Sequence, residues 1–596
     1  MELLNLDGVI EKGVFEIPSY QRGYAWQDRQ LKDFWNDLEH VSKLGDKFHY
    51  MHSLTLRESE NEFESSAFEI IDGQQRLATS LILLGLLAKI TQNKDPKYYS
   101  INLEPVLSYK YYGLNEAFRA IMEEEKDLER FQTSFYAKNL IKAYAFFKEK
   151  ISDTPVGTLE KMFDALTKKM LFSVVELNDN RIDPFSSFET INNRGKDLST
   201  LELLKNRLHF VVHKICDEGD LENLQQEIND TYTRIYHDLR QFEDAHLESF
   251  LKHFVAYYYG ENSKFKERLL NTAFDAHKKY DDLYDEYEKI NDLLLYLSYS
   301  SKVWYFLHTL DDEELRIEIT PKMRGLLDKM RRLNALSENA FLPLLLSLLT
   351  IQLAVRSGDE RHYTTKELED LLEYLERFGF LIYGVAGKNT AKNEWIGLAF
   401  KAIQACRFWE DKITIEDLPT LEKNFFKGKH SGLELLEESI HSKKNTEKWY
   451  RWDKALNYLL YEYELYHNPE TTLNFDGSIE SIEHILPQKP DQGYSAKEKN
   501  WAKNPNIVHA LGNLLLIAKN ANSSLSNKPF EEKRKAYLKG SYSEKEVAKN
   551  ASFGVVQIKE RSEKLLDFLI ARYRITELVG ESVIKAFKNA LLKEIK

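Results

Sequence analysis

The chain predicts a multidomain α+β protein, with a mixed α/β domain first, a helical middle, and a small strand-and-helix domain last. Three observations predict it. At 596 residues the chain exceeds what one core holds, so about three domains are expected. An apolar run, Phe68-Glu69-Ile70-Ile71, leads into Asp72-Gly73-Gln74-Gln75-Arg76 and then Leu77, Leu81, Leu84 and Ala88 at helical spacing. Near the C-terminus, Glu483-His484-Ile485-Leu486-Pro487-Gln488 is followed by Leu511-Gly512-Asn513-Leu514 and by Asn522, an order that reads strand, loop, strand, helix.

In chain order, the first element is an aromatic, Arg-bearing segment, Ile17-Pro18-Ser19-Tyr20-Gln21-Arg22-Gly23-Tyr24-Ala25-Trp26. It reads as the entry loop of an amphipathic helix marked by Leu31, Phe34, Trp35 and Leu38. The strand, glycine turn and helix start around Asp72 to Arg76 form a natural phosphate cradle, because unpaired backbone N–H groups and the helix dipole face an anion there. Arg76 can add a bidentate contact, and Asp72 can orient a sugar hydroxyl or help hold a metal. The blander reading makes Gly73 a plain turn and Arg76 a structural ion-pair partner. Asn192, Arg194, Gly195 and Lys196 form a second basic loop before a helix capped by Ser199 and Glu202, whose apolar face is Leu201, Leu204, Leu208 and Val212.

The middle reads as helices with polar connections. One starts with Thr364 and Glu367 at capping-box spacing and buries Leu368, Leu371, Leu372, Leu375 and Phe378. The greasiest run, Phe341 to Val355, is interrupted by Pro343, Ser347, Thr350 and Gln352, so it predicts a buried helix and no membrane span. Trp449, Tyr450, Trp452, Tyr458, Tyr461 and Tyr463 are expected to pack the last domain onto the helical body. Two distant cysteines, Cys216 and Cys406, exclude a disulfide framework or zinc ribbon and point to a reducing cytoplasm.

Net charge is −13, but Ser481 to Lys596 carries 21 Lys+Arg against 13 Asp+Glu, a local +8 that leaves −21 on the first 480 residues. That asymmetry fits an end domain that meets phosphates. The chemistry of its motif agrees. A carboxylate and a side-chain amide, Glu483 and Asn522, can hold a divalent ion through oxygen, with Asn527 in reserve for the second position. The His484 imidazole can take the proton of an attacking water. Asn513 is expected to orient that imidazole or to steady its loop. Lys533 and Arg534 are the candidate phosphate contacts.

Ile-Pro-x-Tyr-Gln-Arg-x-Tyr-x-Trp, Asp-Gly-Gln-Gln-Arg and Asn-x-x-Gly-Lys-x-Leu together resemble the ParB/sulfiredoxin-like domain of GmrSD-type proteins. Those are modification-dependent (type IV) restriction systems with SspE- and BrxU-like phage-defence relatives. The C-terminal motif resembles their HNH (ββα-metal) nuclease half, with asparagine in place of the last histidine. His52 stands where relatives usually have glycine, and Ala78 where threonine is common. The resemblance implies three regions: a ParB-like nucleotide-binding domain over 1–210, a helical connector over 211–448 and an HNH endonuclease domain over 449–596. It implies a nucleoside triphosphate held by Gln21, Arg22, Asp72 to Arg76, Asn192 and Arg194 to Lys196, and hydrolysed there. It further implies Mg²⁺ or Mn²⁺ at the nuclease and double-stranded, modified phage DNA as substrate, with a homo-oligomer or defence-system proteins as further partners. The rival reading is a nucleotide-switched DNA-binding sensor, or a defence-complex subunit, without nuclease activity of its own.

Overall fold

The computed structural model describes residues 2–59, 67–91, 106–110, 113–177, 198–216, 218–242, 244–261, 263–275, 283–356, 358–421, 426, 431–442, 444–471, 473, 480–490 and 493–596. It is a mixed α+β structure, as the sequence predicts, and divides into two compact units, Met1–Phe306 and Leu307–Lys596.

The first unit is built on six strands: β1 (Glu2–Asn5), β2 (Val14–Ile17), β3 (His49–Glu58), β4 (Ala67–Asp72), β5 (Leu107–Tyr109) and β6 (Met170–Glu176). Their order is β1-β6-β3-β4-β2-β5. β2 runs parallel to β4 and β5, while β3 is antiparallel to β4 and parallel to β6. Period-two burial makes these strands: Phe15 and Ile17 of β2 turn inward, and Val14 and Glu16 do not. Helix α1 (Asp28–Lys43) buries Leu31, Phe34, Trp35 and Leu38 on one stripe, as its spacing requires.

Helix α2 (Gln74–Ile90) opens at Gly73 and buries almost every side chain along its length, so it is a core helix. Gly73 holds φ +100°, and a Cβ there would stand 2.9 Å from the Ser53 carbonyl oxygen and 3.0 Å from a Leu54 methyl. Conformation and space both demand glycine. Helix α3 (Thr200–Ile215) starts at the Ser199–Glu202 capping box.

Helix α3 also buries polar residues, Lys205 and His209 among them. Lys205 Nζ donates to the Ser19 carbonyl at 2.6 Å, and His209 Nε2 lies 3.2 Å from Asn229 Oδ1. Burial, aided by the charge of Lys205, pushes the His209 pKa down to about 3. A depressed folded-state pKa stabilises the protein above the unfolded value of 6.5 and loses that contribution as pH falls toward 3. Melting temperature is therefore expected to drop as pH goes from 7 to 5. A His209→Asn variant, compared with wild type by scanning calorimetry, should lose part of that slope.

The second unit is mostly helical. Helix α4 (Leu342–Ala354) is buried from Leu342 to Gln352, and α5 (Thr365–Gly379) starts at the expected Thr364–Glu367 box. Among the described residues no helix is long and apolar enough to cross a membrane. Helix α6 (Asp453–His467) carries buried Tyr458, Tyr461 and Tyr463. Strands β7 (Glu480–His484) and β8 (Leu514–Ala518) pair antiparallel, with His484 opposite Leu514. Among the helices that follow are α7 (Lys519–Leu525), α8 (Phe530–Tyr537) and α9 (Val555–Arg572). Buried Glu376 of α5 and Glu462 of α6 share Arg572 of α9, each at 3.1 Å, so the charges in this core are paired. The aromatic cluster serves this packing: Tyr458 Oη donates to Glu376 at 2.9 Å and Trp452 Nε1 to the Gly384 carbonyl at 3.0 Å.

Candidate functional site

In the first unit the parallel pairing of β2 and β4 brings their C-terminal ends to one edge of the sheet. Open α/β sheets bind ligands at such an edge. From β2 leaves the loop with Gln21 and Arg22, and from β4 the turn Asp72-Gly73 into α2. Gln75 straps the two together: its Oε1 accepts from Ala25 N at 2.8 Å and its Nε2 donates to the Gly23 carbonyl at 2.9 Å. Tyr24 Oη adds a 2.7 Å bond to Thr79 Oγ1. Gln21 Nε2 donates to the carbonyls of Ile70 and Ile71, the latter at 3.0 Å. Arg76 Nη2 reaches the Ser53 carbonyl at 2.7 Å and Asp72 at 3.1 Å, and Ser53 Oγ donates to Asp72 at 3.2 Å.

The sequence-predicted set thus separates by role. Gln75, placed with the ligand residues, has its amide spent on the loop backbone. Arg22 is buried beside Gln21. Asn192, Arg194, Gly195 and Lys196 lie outside the described residues. Three buried polar atoms at this edge have no hydrogen-bond partner among the described residues: Gln21 Oε1, Gln74 Oε1 and Arg76 Nε. Buried polar atoms are normally paired, so each calls for a partner that these residues do not supply. One donor and two acceptors at a helix start fit a ligand with phosphate and hydroxyl groups. Sequence reasoning passed over Lys205, which holds the Ser19 carbonyl of the same loop from below. Its signal was a lysine four residues after Leu201 on an apolar face.

In the second unit His484 ends β7, and Pro487 follows after one turn of loop. Asn513 clamps this loop: its Oδ1 accepts from Leu486 N at 2.8 Å, and its Nδ2 donates to the carbonyls of Leu486 and Val508 at 2.9 and 2.7 Å. Of its two expected roles, this is the geometry of loop-steadying. Helix α9 anchors the other side, where Arg561 donates to the carbonyls of Gly512 and Leu514 at 3.0 and 2.7 Å. A Cβ at Gly512 would lie 2.0 Å from the Ile558 carbonyl oxygen, so only glycine lets the loop approach α9.

His484 faces a residue that sequence reasoning missed. Its Nε2 lies 3.0 Å from His509 Nδ1, with Tyr450 against both rings and Gln488 Nε2 3.4 Å from Nδ1. Two imidazoles sharing one bond must be complementary, one donating and the other accepting, so their tautomers are coupled. Burial is the main cause that pushes His484 down to about 3, and it lowers His509 as well. His484 is therefore a neutral ring in this packing. A histidine two residues before Leu511-Gly512-Asn513 was the available signal.

Glu483 leaves the opposite face of the strand, as adjacent strand residues must. Its carboxylate meets Lys533 Nζ at 2.5 Å and Tyr537 Oη at 3.1 Å. Lys533 was expected at DNA phosphates. It is instead fully buried, spending its ammonium on Glu483 and on the carbonyls of His484 and Ile485, so it has no surface to offer a phosphate. Arg534 is half-buried, with Nε bonded to the Ala548 carbonyl at 2.7 Å. Asn522 Nδ2 is tied back to Ser481 Oγ at 2.7 Å and to the Ile482 carbonyl at 3.2 Å, while Asn527 is exposed. A hard cation needs several oxygens turned to one point. Glu483 is already neutralised by Lys533, so as placed Glu483 and Asn522 do not make that site.

The family model for the GmrSD restriction endonuclease N-terminal domain matches residues 3–209, and that for the GmrSD restriction endonuclease C-terminal domain matches residues 437–568. The chain belongs to the GmrSD family of type IV restriction endonucleases, which the motifs had indicated. DNA is the substrate class this membership implies. No curated protein matches the chain.

Proposed function

We propose that the protein is a nucleotide-regulated endonuclease that cuts foreign, modified phage DNA in antiviral defence, with a ParB-like N-terminal domain and an HNH-like C-terminal one. The observation that carries the nuclease reading is His484, a neutral imidazole at a strand end, its tautomer coupled to that of His509 and its loop clamped by Asn513. In this reading it takes the proton of the attacking water. The nucleotide reading is supported by the three unpartnered polar atoms around the start of α2. Triphosphate is bound and hydrolysed there, and its state controls cutting. Mg²⁺ or Mn²⁺ is the expected cofactor, and its requirement is read by chelation.

The test is nicking of modified and unmodified plasmid with Mg²⁺ or Mn²⁺, with EDTA, and with or without each nucleoside triphosphate. It is run on the wild type and on an Asp72→Ala, Arg76→Ala variant. Coupling between distant sites is typically about 1–3 kcal/mol, so nucleotide should change the wild-type rate by about 5- to 150-fold and the variant's rate little. Equal rates for both proteins under every condition would mean that the two sites are merely tethered. Arg76→Ala alone should weaken triphosphate binding by roughly 1.5–3 kcal/mol, the worth of charge-assisted bonds, as measured by calorimetry. Unchanged affinity would make Arg76 a structural partner of Asp72.

One observation favours a second reading. Glu483, the expected metal ligand, is held by Lys533, as it would be in a DNA-binding sensor that does not cut. Specific DNA binding without nicking under any of these conditions would select that reading.

A further inference from the structure

β3 is antiparallel to β4 with Thr55 opposite Asp72, so its first residues run on past the end of β4. His49 to Ser53 therefore overhang the edge where Gly73 opens α2. The pairing of this stretch with β6 shifts register between Tyr50 and Ser53. His52 holds φ +67°, in the left-handed region that L side chains avoid. A bulge of this kind re-aims side chains and recurs beside binding sites.

Its result here is a pair of rings turned out of the core. Tyr50 and His52 stand 5.3 Å apart, and both are exposed, Tyr50 by 51%. The next residue, Ser53, supplies the carbonyl that Arg76 grips and the hydroxyl that Asp72 accepts. At about 3.3 Å of strand per residue, Tyr50 and His52 lie one to three residues along β3 from the Ser53 carbonyl that Arg76 grips.

We infer that Tyr50 and His52 form the base-stacking wall of the site whose phosphates meet Gly73 to Arg76. The inference rests on the nucleotide reading above and adds to it the part of the ligand that the helix start cannot recognise. Every base has a π-face, so rings alone select a nucleoside triphosphate over bare triphosphate without selecting one base over another.

Calorimetry on the full chain tests this with ATP, GTP, CTP and UTP against inorganic tripolyphosphate. Wild type should bind at least one nucleoside triphosphate about 5- to 150-fold tighter than tripolyphosphate, the range that stacking of one base spans. Tyr50→Ala and His52→Gly should each erase most of that preference and leave tripolyphosphate binding unchanged, whereas Tyr50→Phe should keep it. Glycine suits the left-handed backbone at position 52, so a loss there does not come from misfolding. Tripolyphosphate binding as tight as that of every nucleotide, or a Tyr50→Ala, His52→Gly protein with wild-type nucleotide affinity, would overturn the stacking wall. Binding of no probe at all would bring down the nucleotide reading, and the wall with it.

Discussion

Alanine at His484 is expected to cut the nicking rate by at least about a hundredfold, the usual loss on removing a general base, with folding and DNA affinity retained. The retained properties follow from where the ring sits. It touches His509, Tyr450 and Gln488, while the loop around it is held independently by Asn513 and by Arg561 of α9. A mobility-shift assay and a melting curve check those two controls. The pH dependence follows from the same burial. A pKa pushed down to about 3 keeps the imidazole unprotonated across the assay range, so the rate should show no loss attributable to His484 between pH 8 and pH 6. Full nicking by the alanine variant would end the assignment of His484 as the base. A steep fall centred near pH 6.5 would show that its surroundings open to water in the working enzyme.

What was legible in the sequence is what neighbours along the chain decide. The Ser199–Glu202 and Thr364–Glu367 boxes stand where their spacing put them. So do the glycine turn at Gly73 and the strand that ends at His484. The family, too, was readable from short motifs, because motif spacing is a local property. What escaped was decided by partners distant in sequence. Nothing near Gln75 says that its amide will strap residues 23 and 25, fifty positions earlier. The overhang of β3 depends on its register against β4 and β6, which no window of the sequence contains. His52 is the instructive case, since the glycine that the family resemblance implies at that position had no visible cause until the positive φ supplied one. Lys533 misled for a related reason. A lysine beside an arginine on a short helix reads as surface charge, and only the facing carboxylate of Glu483 explains its burial.

That pair is where the second large effect is expected. Lys533→Met should destabilise the protein by about 3–5 kcal/mol, the cost of leaving a buried charge without its partner. Burial already drives both groups toward neutrality, raising the Glu483 pKa and lowering that of Lys533, with their mutual attraction opposing it. Without the ammonium, Glu483 keeps Tyr537 as its side-chain partner among the described residues, and its pKa rises further. A carboxyl with a raised folded-state pKa favours the fold while protonated and loses that favour as pH climbs through the raised value. The penalty should therefore be small at pH 5 and grow toward pH 8. Denaturant midpoints at several pH values read it directly. Adding Glu483→Gln to Lys533→Met removes the orphaned charge and should recover most of the stability, a non-additivity that a double-mutant cycle isolates. The cycle also decides what Glu483 is for. A double variant that regains stability but not nicking assigns the carboxylate a role beyond the pair. If both return, Glu483 and Lys533 form a buried strut under the His484 strand end, and the chemistry lies on its other face. A Lys533→Met protein as stable as wild type at every pH would show that the pair is not held in solution.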